Sequence, residues 1–248
     1  MRKTIKLWAV LFWLAVWQIT SMLLNQQILL VSPVNVIVRL VQLVKTHEFW
    51  FSIAFSSSRI IGGFLLAIFV SILLAVLANR FKLAEQLFAP AMLTIKSVPI
   101  ASFIILALIW FSSKNLAVLI SFLMVMPVMY SNVLTGIRTI DTQIKEMAYV
   151  FEIKPARQVR YLYIPHIFPY FRAGCEVCIG LSWKSGIAAE VIGMPQGSIG
   201  AGLQQAKVYL DTPDLFAWTL VIVVISLFYE RLFLFLLAKL QKLLQRME

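Results

Sequence analysis

Charge is scarce in this 248-residue sequence: Asp, Glu, Lys and Arg together supply 13% of it. An ordinary soluble domain carries about 25%, so a water-solvated globule is excluded. Acidic residues are the scarcer sign, 11 against 22 Lys and Arg. Residue types that carry chemistry are thin as well, with two Cys and two His in the whole chain. His47 and His166 lie far apart and on opposite sides of the topology argued below, so no His-based centre is expected. Cys175 and Cys178 form a C-x-x-C, but inside the apolar stretch AGCEVCIG and with no second Cys/His pair. Zinc wants four ligands, so these cysteines read as small residues of a packed helix, and no metal or cofactor is expected. There is no G-x-x-x-x-G-K-S/T loop, so the chain supplies no ordinary ATP-phosphate cradle of its own. H-E-x-x-H and a Ser/His/acid set are missing too, which argues against an enzyme; an intramembrane enzyme needs acids, His or Cys converging at one depth. Low-complexity tracts, long linkers and tandem repeats are also missing, so a single domain over 1–248 is expected.

Apolar residues make up 61% of the sequence, and mean hydropathy is +0.88. The expected fold is therefore all-α and polytopic, with about six transmembrane helices of ~20 residues each. The spans read as Leu7–Leu24, Ile60–Ala78, Leu87–Phe111, Leu116–Leu134, Ile167–Val191 and Leu215–Leu237. Arg2, Lys3 and Lys6 precede the first span and no small-x-small cleavage site follows it, so it is expected to be retained. The net charge of +11 does not point to nucleic acid, because the basic residues collect at span ends. With the N-terminus inside, thirteen fall inside and five (Arg39, Lys45, Arg59, Lys114, Lys207) outside. Such asymmetry places both termini in the cytoplasm.

The most polar sizeable block, Lys145–Pro165, falls on that same inner side. It reads as two short amphipathic helices with a bend between them, a loop of about 139–165. Asp141 suits an N-cap, and Ile144, Ala148 and Phe151 share a face. Pro155 suits the first turn of the second helix, and Pro165 is expected to end it. On the outer side, Ser32-Pro33 opens an amphipathic stretch, Val34–Val44, that suits the interface with membrane lipid. Within the spans, Lys96 and Lys184 attract notice, because a cation at membrane depth costs at least ~2.5 kcal/mol and usually faces a cavity or a partner. Snorkelling to an interface, or neutralising an acid on another span, is the alternative reading. Lys184 and Glu190 are six residues apart, about 600° of helical rotation, so they do not share a face. Glu190 either lines a pathway or caps a helix that packs against the neighbouring protomer. Glu230 and Arg231 read as an interhelical or topological pair.

Glu146-Met147-Ala148, with Ile164-Pro165 further on, resembles the EAA loop of ABC-importer permeases. Glu152 stands where that pattern has Gly, and two outcomes follow. The helix continues through Glu152 and the bend slides toward Ile153-Lys154 ahead of Pro155, or Glu152 is held in a strained left-handed turn; the first is expected. Other stretches resemble the nitrate/sulfonate/taurine branch of the same family: Ser56, Arg59, Gly63 and Phe64; Lys96-Ser97-Val98-Pro99; Trp110-Phe111; Trp183, Ala189 and Glu190; and Gly200-Ala201-Gly202. They cover nearly the whole chain in order, with Ser112 replacing a Gly.

The resemblance implies the type I importer architecture, set in a bacterial inner membrane. It implies a permease subunit whose pore gives alternating access to a small solute. Its partners would be ATP-binding ATPase subunits on the cytoplasmic side, an extracytoplasmic substrate-binding protein and a second permease copy, as a homodimer. Glu146, Met147, Ala148, Phe151, Glu152, Ile164 and Pro165 would meet the ATPase. Lys96, Pro99, Trp183, Lys184 and Glu190 would belong to the substrate pathway. The solute would be an anion such as nitrate or a sulfonate, or a thiamine-precursor-like compound. A stand-alone carrier or channel is the competing reading, and it would not need the polar helix pair.

Overall fold

A computed structural model describes residues 6–24, 26 and 28–245, so Arg2, Lys3 and Arg246 lie outside the described residues. Among the described residues every regular element is helical. In chain order these are α1 (Leu7–Leu24), α2 (Pro33–Val44), α3 (His47–Arg80), α4 (Lys82–Ser97), α5 (Ile100–Trp110), α6 (Ser113–Arg138), α7 (Thr142–Val150), α8 (Pro155–Gln158), a π-helical turn (Val159–Tyr163), α9 (Ile164–Gly193), α10 (Ile199–Val208) and α11 (Thr212–Gln245). Four helices, α1, α3, α6 and α11, are long and apolar enough to cross a membrane.

The expected third span is not one helix. α4 and α5 meet at 108° across Val98-Pro99. Proline lacks the N–H a continuing helix needs, and its ring drives the residue before it out of the helical region. Val98 accordingly sits at φ −79°, ψ 133°. The expected fifth span is α9, whose 30 residues reach about 45 Å but include Arg172, Glu176, Lys184 and Glu190. The six expected crossings thus resolve into four straight apolar helices, one broken pair and one charged helix.

α6 sits at the centre, packed most extensively against α9 and α3. In lipid, burying apolar surface does not drive helices together, so close backbone approach and hydroxyl bonds do that work. The buried face of α3 is built for it, with Ser56, Ile60, Gly63, Ala67, Ser71, Ala75 and Ala78 all buried. A Cβ at Gly63 would stand 2.4 Å from the Val118 carbonyl oxygen. On α9, a Cβ at Gly186 would stand 2.6 Å from Ile60 Cγ1. Ser71 Oγ donates to Met126 O at 2.9 Å, and Ser121 Oγ to Ser182 O at 3.1 Å. Cys175 and Cys178 are wholly buried free thiols in the α9–α6 packing, where Cys178 Sγ lies 3.8 Å from Val125 O.

α2 begins as its sequence suggests, with Pro33 in the first turn and Ser32 Oγ accepting from Asn35 N. Val36 is buried, whereas Val34, Ile37, Val38, Val41 and Val44 face away from the protein. That outward apolar stripe suits a helix lying on lipid. Arg39 pairs with Asp214 and ties α2 to the start of α11.

Candidate translocation pathway and coupling surface

At the end of α6, Arg138 donates to Glu85 on α4 at 2.6 Å, and the chain then turns out into α7. Asp141 caps α7, its Oδ1 accepting from Gln143 N at 2.9 Å. Ala148 is buried and anchors the helix. Glu146, Met147, Phe151 and Glu152 are exposed, as are Tyr149 and Val150. Tyr149 is 83% uncovered and Phe151 73%. A short polar helix thus presents an acid amid bare apolar side chains, the composition of a surface awaiting a protein partner.

Glu152 departs from expectation. α7 stops at Val150, and Glu152 takes the left-handed conformation at φ 49°. Ile153 N donates to Ala148 O and Glu152 N to Tyr149 O, both at 3.0 Å. This is the Schellman ending in which the left-handed position favours Gly. Two anchored bonds and the extended Lys154 before Pro155 hold the turn, so a Glu occupies a glycine conformation instead of extending the helix. Replacing Glu152 by Gly therefore stabilises the protein, by about 1 kcal/mol. A thermal-unfolding midpoint in detergent that falls below the parent's would contradict the assignment.

Pro155 does open α8. Pro165, however, does not end it. The backbone stays helical from Gln158 through Tyr163 into α9, with Ile164 N donating to Val159 O across the π turn. The wider turn relieves the clash between the Pro165 ring and the preceding carbonyls, and an early position in α9 costs no further donor. Ile164 and Pro165 lie exposed at this junction. The turn that follows α7 is therefore joined to α9 by a continuous helical backbone from Pro155 to Gly193.

The break between α4 and α5 opens a cavity of about 380 Å³. Lys96, Ser97 and Pro99 line it, with Pro127 and Val128 from α6 and Leu181 from α9. Pro127 also lacks an N–H, so two interrupted backbones meet here. Lys96 is exposed, and so is Lys184, one turn along α9 from Leu181. Neither lysine has an ion-pair partner among the described residues. The 380 Å³ suits a small solute.

Trp183 and Glu190 take different places. Trp183 is buried and stacks on Tyr229 of α11 with ring centroids 5.4 Å apart. Glu190 is wholly buried. It accepts from Ser56 Oγ at 2.7 Å and from Gly200 N at 3.1 Å through the same oxygen. Within this chain the geometry is that of a cap, placed at the start of α10. Ser56 and Gly200 were visible in the sequence, but their junction with Glu190 was not. Spacings of 134 and 10 residues carry no local signal.

A membrane-crossing helical chain with a cavity at a broken helix and an uncovered helical turn at one end fits a transport permease. Residues 67–243 match the family described as the binding-protein-dependent transport system inner membrane component, and the chain belongs to it. It is 26% identical to a Bacillus subtilis permease named for aliphatic sulfonates transport, over 86% of this chain and 78% of that one. It is 26% identical to a nitrate import permease protein of Synechococcus elongatus, over 75% and 70%. With a formylaminopyrimidine transport permease protein of Halalkalibacterium halodurans it shares 23% over 82% and 81%. The protein is thus a multi-pass membrane permease, and its work is to give a solute a path across the bilayer.

Proposed function

We propose that this permease imports a small anion, driven by separate ATPase subunits that dock on the turn between α7 and α8. The observation that carries the ATPase partnership is the uncovered surface of Glu146, Met147, Tyr149, Val150 and Phe151. Excess Lys and Arg on that side supports a cytoplasmic turn and cytoplasmic chain ends, and the membrane is read as a bacterial inner membrane. An extracytoplasmic binding protein delivers the solute to the opposite face, and two copies of the chain pair to form the pore. ATP-driven closure of the ATPase dimer pushes the α7–α8 turns, and the pore switches its accessible side. The α4–α5 cavity holds the solute near midspan, as interrupted helices do in other transporters. Lys96 and Lys184 supply its counter-charge, which favours an anion over the neutral aminopyrimidine that one relative's name records. The chain is a single permease domain with the coupling turn at about 139–165.

The test is to purify the tagged chain co-expressed with the ATPase and binding-protein subunits of its own transport system. The ATPase is expected to co-purify, and mass spectrometry of the ligand retained by the binding protein is expected to find a small anion. A chain that transports in proteoliposomes with no ATPase present is instead a stand-alone carrier.

A further inference from the structure

The first amides of α10 are all claimed by side chains. Ile199 N donates to Ser56 Oγ at 3.0 Å, Gly200 N to Glu190 Oε2 at 3.1 Å, and Ala201 N to Ser198 Oγ at 3.0 Å. Ser56 Oγ in turn donates a hydrogen bond to the same Glu190 oxygen, so α3, the last turn of α9 and the start of α10 meet on one carboxylate. A helix N-terminus favours such a negative group. Glu190, Ser56 and Ile199 have no exposed surface at all, and Glu190 Oε1 is buried without a partner. The backbones touch as well. A Cβ at Gly200 would stand 2.3 Å from Glu190 Cβ and 2.6 Å from the Glu190 carbonyl carbon. Pulling α10 away would take from the buried Glu190 carboxyl one of its two hydrogen bonds and leave Gly200 N unpaired, a costly state.

The opposite end of α9 runs unbroken through the π turn into α8 and the coupling turn. One rod of roughly 55 Å thus carries the coupling turn at one end and the α10 clamp at the other. α10 in turn forms a wall of a second cavity, of about 960 Å³, where Ser198, Gly202 and Gln205 face Thr46, Ser52 and Trp218.

We infer that Glu190 is a positioning residue for transport, clamping α10 to the rod so that displacement of the coupling turn moves the wall of this far cavity. The inference rests on the coupling role proposed above. Without the clamp α10 stays folded, because Gly202 packs on Trp218 of α11, but it follows α11 instead of α9. Ser56 holds the clamp from the α3 side.

The experiment uses the assembled transporter in proteoliposomes, with single reporter cysteines at Lys154→Cys in the coupling turn or Tyr209→Cys at the exposed tip of α10. Maleimide labelling is compared with and without ATP plus vanadate. In the parent, both sites are expected to change reactivity at least threefold on trapping. In Glu190→Ala the change at Lys154→Cys persists, whereas the change at Tyr209→Cys disappears. Gly200→Ala does the same from the other side of the clamp, and Ser56→Ala, which removes only a hydroxyl, loses part of the α10 response. A full ATP-dependent change at Tyr209→Cys in Glu190→Ala overturns the inference, as does a parent in which only Lys154→Cys responds. Should Glu190→Ala fail to assemble, Ser56→Ala decides, and an undiminished response there overturns the inference. Silence at Lys154→Cys in the parent strikes the coupling role itself.

Discussion

Glu146→Ala is expected to lower uptake at least tenfold in the assembled transporter while leaving the permease inserted and folded. Glu146 is exposed on α7 and has no partner within the described chain, so its removal costs the fold nothing. On the proposed docking, Glu146 meets the ATPase, where a charge-assisted hydrogen bond contributes about 1.5–3 kcal/mol, or roughly a ten- to hundredfold change in docking. The bare side chains of Met147, Val150 and Phe151 keep some of the docking surface, so residual ATPase binding with poor coupling is the expected pattern. Uptake and ATP hydrolysis measured together distinguish the cases. Hydrolysis without uptake is uncoupling, and loss of the ATPase from the purified complex is undocking. Parent-level uptake would remove the coupling role from this turn. Glu152, two residues past the helix end, serves as the internal contrast: its replacement by Gly relaxes the backbone and leaves uptake near the parent rate.

The second large effect is expected at the lysines. Lys96→Ala lowers uptake by roughly tenfold or more, the loss of one charge-assisted contact to a bound anion. Lys184→Ala, one turn from the cavity wall, loses less. Assembly is unaffected, because neither side chain is paired or packed among the described residues. Lys96→Arg keeps the positive charge and is expected to retain part of the uptake. Radiolabelled solute uptake at saturating binding protein is the measurement. If Lys96→Ala and Lys184→Ala both assemble and transport at the parent rate, the lysines only reach for an interface, and the anion reading falls with them.

Composition and local pattern by themselves determined that this chain is an all-helical membrane protein. Apolar runs of about twenty residues cross a bilayer as helices, which satisfy every backbone polar group within the segment, whereas barrel strands are about half as long and alternate in hydropathy. The caps at Ser32 and Asp141 and the start of α8 at Pro155 were legible for the same reason: each depends on neighbours within a turn or two. Three features were decided only in the folded chain. Val98-Pro99 sits inside a run apolar enough to pass for one span, and the bend of 108° shows only once α4 and α5 have packed against α6 and α9. Pro165 looks like a helix stop in sequence, yet a widened turn carries the backbone past it and joins the coupling turn to α9. Glu190 reads as a misplaced charge along the chain; across 134 residues Ser56 reaches it, and α10 brings Gly200, so that a buried acid becomes the cap of a helix. Periodicity and caps record short-range physics, whereas these three depend on what distant segments bring to the same place.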